Sequence, residues 1–136
     1  LIEEEFLLLY GDSYLDIDYS GFINFFDNQK TIGSIIIYDN TMDNTEVRNN
    51  IAMESNLITK YAKNSEDVSL RYVEAGVSAF NKNLLSFIEP GKAVSLESDI
   101  LPMLIKEKEL AGYQSKQRFY DIGTVDRLNL FRDFNL

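Results

Sequence analysis

The chain has 136 residues, a length that fits one domain, with 45% apolar and 26% charged residues, the balance of a folded globular protein. It has no cysteine and no histidine, which excludes disulfides, thiolate nucleophiles, imidazole catalysis and the usual zinc ligand sets. A formal net charge of −9 disfavours nucleic acid and anionic membrane as partners, so any phosphate chemistry must be offset by a metal or a local cation.

The first expected element is a strand over Glu5–Tyr10, an unbroken apolar run ended by Gly11-Asp12. Such a run suits a strand covered on both faces, as in parallel sheets. Residues 19–28 place Phe22, Ile23, Phe25 and Phe26 at helical spacing, with Asp18 or Ser20 as the N-cap. This makes Asp16 and Asp18 residues at the start of a helix rather than an Asp-x-Asp metal site, and makes the phenylalanines core. Gly33–Tyr38 is a second buried strand and 39–48 a polar loop. Residues 50–54 and 57–61 read as a hairpin turning at Glu54-Ser55-Asn56.

A third core strand is expected over Arg71–Phe80, then a short helix over 81–88 ended by Glu89-Pro90-Gly91. Residues 95–108 suit one amphipathic helix capped by Ser95, with Leu96, Ile100, Met103 and Leu104 on one face and Pro102 perturbing its middle. Strands over 110–114 and 118–122 follow. Thr124 caps a closing helix over 125–134. Alternating strands and helices argue for an α/β fold with a mainly parallel sheet.

Three segments, in order, carry a family resemblance. Phe6-Leu7-Leu8-Leu9-Tyr10-Gly11-Asp12-Ser13 is similar to a strand ending in Gly-Asp. Tyr72-Val73-Glu74-Ala75-Gly76-Val77 is similar to an Asn-Ala-Gly or Asn-Thr-Gly strand. Phe119-Tyr120-Asp121-Ile122-Gly123-Thr124 is similar to a closing Asp-x-Gly-Thr motif. Ser95–Pro102 fits the helix between the last two. Together these resemble the mannose-, glucose- and heptose-1-phosphate nucleotidyltransferases. The resemblance implies a Rossmann-like, mainly parallel fold. It also implies Mg²⁺-dependent transfer of a nucleoside monophosphate from a nucleoside triphosphate to a sugar 1-phosphate, feeding polysaccharide synthesis; with no signal peptide and no apolar stretch long enough to span a membrane, the cytoplasm is the expected location. The family's glycine-rich triphosphate loop is not in this sequence. Residues 1–136, opening on Leu1, are therefore expected to form the C-terminal portion of a single nucleotidyltransferase domain.

On that resemblance Asp12 and Asp121 become catalytic metal ligands for Mg²⁺, which takes one or two protein carboxylates. On spacing alone, Asp12 reads better as a turn cap and Asp121 as the cap of the last helix. Gly11, Lys63, Glu74, Gly76 and Glu97 become substrate-binding residues. Glu74 stands where the family has a sugar-binding Asn, and its other reading is an ion pair with Arg71 or Lys63. Only the Lys of the family's Glu-Lys-Pro survives, with Ala62 before it. Lys63 also reads as an exposed loop lysine. Glu97 also suits the first turn of any helix. A non-catalytic sugar-phosphate-binding relative and a structural half of a two-chain assembly are the rival readings. Missing neighbouring strands would expose Leu7, Leu9, Ile35 and Ile37, so self-association or pairing with the absent portion is expected.

Overall fold

A computed structural model describes residues 3–135. Its elements are β1 (Glu5–Leu9), β2 (Ser13–Tyr14), α1 (Tyr19–Gln29), β3 (Gly33–Asp39), β4 (Ile51–Glu54), β5 (Leu57–Tyr61), β6 (Tyr72–Asn81), α2 (Leu101–Lys106), β7 (Leu110–Gln114), β8 (Tyr120–Asp121) and α3 (Val125–Asn135).

Six strands form one sheet in the order β1-β6-β3-β7-β5-β4. A further pairing, Ile51 with Tyr72, joins β4 back to β6 and gives the sheet a small barrel-like closure. The expected mainly parallel, Rossmann-like sheet is not what forms. Among the described residues β3–β7 is the one parallel pairing, and the others are antiparallel. The apolar runs misled because closure and flanking helices bury both faces of an antiparallel strand just as crossover helices bury a parallel one.

β3 shows this directly: every residue from Gly33 to Asp39 is buried. Its side chains alternate as a strand requires. Ile36 and Tyr38 join Phe22 and Phe26 of α1 with Val73, Ala75, Val77 and Ala79 of β6. Ile35 and Ile37 join Phe80, Ile58, Ile100, Leu101 and Leu104 on the other face. Each fully buried Ile, Leu or Phe contributes about 1.5–3 kcal/mol of transfer free energy.

Several sequence expectations need correction. β1 is an edge strand, not one buried on both faces: Leu7 and Leu9 are 37% and 56% exposed while Phe6 and Leu8 point inward against the core. Ile35 and Ile37, expected to be uncovered with them, are completely buried, because β6 and β7 flank β3. The single helix over 95–108 is instead a π-helical turn over Leu96–Ile100 that passes into α2. Pro102 sits in the first turn of α2, where its missing N–H costs nothing. The strand expected over 118–122 shrinks to Tyr120–Asp121. Asp18 caps α1, its carboxylate accepting from Ser20 N at 3.0 Å. Among the described residues no helix is long and apolar enough to cross a membrane.

Candidate functional site

A break in the ladder opens the site. Against β3, the register of β6 jumps from Ile35↔Ser78 to Ile37↔Glu74, so two steps of one strand face four of the other. Gly76 lies in this bulge with φ +78°, a conformation that a side chain strains. Its carbonyl accepts from Tyr10 N at 2.9 Å, which carries the end of β1 past the bulge. A Cβ on Gly76 would lie 2.5 Å from Ser13 Oγ. The close approach that this glycine permits is therefore made by Ser13, a residue that sequence reading passed over.

The chain turns at Gly11-Asp12 and enters β2. Ser13 pairs with Asp121 in β8, and Ile122 N donates to the Asp12 carbonyl at 2.8 Å. That pairing brings residues from opposite ends of the chain together. The two carboxylates meet over Gly123, where an added Cβ would sit 3.3 Å from both Asp12 Oδ2 and Asp121 Oδ1. A side chain at 123 would crowd both carboxylates, which would have to give way by a few tenths of an ångström.

The two acids differ in their partners. Asp121 Oδ1 accepts from Gly123 N at 2.9 Å, and Oδ2 accepts from Arg127 Nη1. The Asp12 carboxylate has no hydrogen-bond or ion-pair partner among the described residues. No cluster of three or more acidic side chains suited to a metal is found among the described residues, so a cation here would have two protein carboxylates.

All seven sequence-selected residues line two adjoining hollows. Asp12, Lys63, Glu74, Gly76 and Asp121 line an inner cavity of about 120 Å³, which also presents Asn50. Gly11, Asp12, Lys63 and Glu97 line an outer groove. Tyr10, Asp12 and Lys63 belong to both.

Glu74 is 8% exposed. Its carboxylate accepts from Tyr61 OH at 2.7 Å, and its backbone N–H donates to Asn50 Oδ1 at 3.0 Å. Burial pushes its carboxyl above the usual carboxylate range; the Tyr61 hydroxyl opposes this, Glu97 adds to it, and Lys63 and Tyr10 oppose it. Arg71, one partner weighed for Glu74, instead donates Nε and Nη2 to Asp39 Oδ2 at 2.9 and 2.7 Å. Lys63 forms its ion pair with Glu97, which also accepts from Tyr10 OH at 3.3 Å. Burial, followed by the charges of Glu74 and Glu97, holds both Tyr10 and Tyr61 protonated well above the ordinary phenol range. They act as fixed donors. Tyr10, Tyr61, Asn50 and Arg127 are site residues that sequence reading missed. The available signal was adjacency, since Tyr10 precedes Gly11-Asp12 and Tyr61 stands two residues before Lys63.

This arrangement can hold a hard cation between Asp12 and Asp121, and it can offer a polar wall of hydroxyl, amide and carboxylate groups to a polyhydroxy ligand beside it.

No family model matches the chain, and no curated protein matches it. Solved structures do. The chain is similar in fold to a protein of Bacillus anthracis named as a glucose-1-phosphate thymidylyltransferase, crystallised with a sucrose: 17% identity, TM-score 0.79, covering 96% of this chain and 54% of that one. It is also similar to HddC from Yersinia pseudotuberculosis, at 18% identity and TM-score 0.71, covering 98% of this chain and 56% of that one. The chain thus spans about half the length of the structures it matches. At these identities the likeness establishes the fold: a mixed α/β fold similar to that of nucleotidyltransferases.

Proposed function

We propose that this chain supplies the metal and sugar-phosphate half of a sugar-1-phosphate nucleotidyltransferase. The whole protein would move a nucleoside monophosphate from a nucleoside triphosphate to a sugar 1-phosphate, releasing pyrophosphate, in the cytoplasm. The observation that carries this reading is the convergence of Asp12 and Asp121 over Gly123, in the same hollow as Lys63, Glu74 and Gly76.

The donor set suits Mg²⁺. It consists of two carboxylates without nitrogen or sulfur, lining a hollow that leaves room for the water and phosphate oxygens that this ion keeps. Bound there, Mg²⁺ would supply charge neutralisation for the reacting phosphates. The remaining work belongs to the chain. Gly123 leaves the opening clear. Glu74, fixed by Tyr61 and by Asn50 beneath it, presents a polar edge to sugar hydroxyls. Lys63 stands at the junction of the two hollows, where it can meet a sugar phosphate once Glu97 releases it. No nucleophilic side chain is required, because the sugar phosphate oxygen itself attacks; catalysis is positioning and electrostatics.

The test is pyrophosphate release by the full-length protein across nucleoside triphosphates and hexose and heptose 1-phosphates. Asp121→Asn should reduce turnover by about 10²-fold or more while the fold survives. Unchanged turnover would leave Asp121 as a cap only. The internal pairing of both Asp121 and Lys63 favours the second reading, a sugar-phosphate-binding relative without turnover. Saturable binding of a sugar 1-phosphate with no pyrophosphate release under any combination would select it.

A further inference from the structure

Arg127 is the cation paired with one of the two candidate metal acids, and its placement follows from the turn before α3. Asp121 Oδ1 accepts from Gly123 N at 2.9 Å, which bends the chain back. Thr124 then starts the helix: its Oγ1 accepts from Arg127 N at 3.3 Å and its carbonyl from Leu128 N at 2.9 Å. The first turn of α3 thereby aims the Arg127 guanidinium at Asp121, and the two form an ion pair. The Asp121 side chain is 25% exposed and that of Arg127 37%, so water screens the pair only in part.

The result is lopsided. Asp12 offers a free carboxylate on one side of Gly123, while Asp121 on the other side already holds a positive charge. A divalent cation drawn to both acids would face the guanidinium across a single carboxylate. Arg127 also lines an adjoining hollow of about 260 Å³ with Asp121, Asp43, Glu46 and Arg118, where Arg118 already pairs with Asp43. A released guanidinium therefore has room to move, with the Glu46 carboxylate on the same wall. α3 does not depend on the ion pair to stay docked, because Phe131 packs on Tyr14 and Tyr120 with ring centroids 4.8 and 5.2 Å away.

We infer that Arg127 is an internal cation that competes with a divalent metal for Asp121, so that loading the site releases Arg127 and loosens the first turn of α3. This rests on the metal reading of Asp12 and Asp121 given above. Without metal, Arg127 neutralises Asp121. With metal, the same carboxylate has a stronger claimant, and the coupling runs both ways by linkage.

The experiment uses Mn²⁺ as the probe, with free ion read by its paramagnetic resonance signal, on the full-length protein and on Arg127→Met, Arg127→Lys and Asp12→Asn. Arg127→Met should bind Mn²⁺ roughly tenfold more tightly, because a repelling charge has been removed at close range. Arg127→Lys should stay near the parent affinity, and Asp12→Asn should bind far more weakly. In the parent, Mn²⁺ should speed amide exchange at residues 125–128, an effect absent in Asp12→Asn. A cooperative melt for each variant checks folding. If the parent binds Mn²⁺ through Asp12 but Arg127→Met binds no more tightly, the competition is disproved and the metal reading stands. If neither the parent nor Arg127→Met binds Mn²⁺, the metal reading fails and this inference with it.

Discussion

Along β3 every residue is buried, whereas along β2 and β8 none is. The large sheet is an apolar structure, partly closed through β4 and β6. The small β2–β8 sheet has two residues per strand, rests on an aromatic cluster under α3, and carries Asp121, with Asp12 in the turn that leads into β2. The contrast shows a division of labour. Packing energy is concentrated in β3, β6 and β7, while the candidate metal acids sit on a lightly held unit that can shift without unfolding the rest. β6 connects the two, because its bulge lies in the core strand yet opens onto Ser13 and Asp12.

The largest effect should come from the core side of that division. Phe80→Ala, at a fully buried ring, should cost about 3–5 kcal/mol in denaturant unfolding. A loss below about 1 kcal/mol would show that the sheet is far less tightly packed than its burial implies.

The connection between the regions should respond next. Gly76→Ala combines a strained φ with a collision against Ser13, and should cost about 1–3 kcal/mol. Adding Ser13→Gly should recover the steric part and leave the conformational part. If the double variant is no more stable than the single one, Ser13 is not what the glycine accommodates.

A pH comparison sharpens the boundary further. Folded Glu74 keeps its proton to a higher pH than its ordinary value of 4.5. Unfolding in that window releases a proton, so this residue lowers stability as pH rises from the unfolded value to the folded one, with no further change above it. Asp39 works in the opposite direction. Burial would raise its carboxyl, but hydrogen bonds from Thr41 and Arg71 outweigh that and hold it low, so its contribution is lost as pH falls. The difference between parent and Glu74→Gln isolates the effect. The variant's advantage in melting temperature should grow as pH rises above the ordinary value of 4.5 and then level off. Parallel curves would place Glu74 in a more aqueous setting than its burial indicates.

The smallest stability change is expected at the sheet edge. Leu9→Gln together with Leu7→Gln should alter unfolding by no more than about 0.5 kcal/mol per site. The same pair should weaken the self-association expected of an exposed apolar edge strand. Sedimentation showing the parent monomeric at all concentrations would remove that expectation.

The buried strands and α1 were legible in sequence because their cues are local: the run Ile35-Ile36-Ile37, the spacing of Phe22 and Phe26, and the Asp18 cap. Sheet direction was not, since parallel and antiparallel strands covered on both faces have the same composition. The gathering of Asp12 with Asp121 was anticipated through motif resemblance, and nothing in local periodicity encodes it. Tyr10 and Tyr61 went unrecognised because a tyrosine at a strand end looks like core until its hydroxyl is seen on a carboxylate. Arg127 was hidden for a related reason: its partner lies beyond the helix that carries it.

The Ser13–Asp121 pairing also bears on the order in which this protein is assembled. Synthesis from the N-terminus completes β1 to β7 before Tyr120 and Asp121 exist, so the sheet can collapse while Asp12 still waits for its counterpart. Closing so long a loop is entropically slow, and it is accomplished by two short strands and a few aromatic rings. A nascent chain should therefore gain its hydrophobic architecture first and its paired acids last. A chain cut before residue 120 would keep β1 to β7 and lack the strand that pairs beside Asp12.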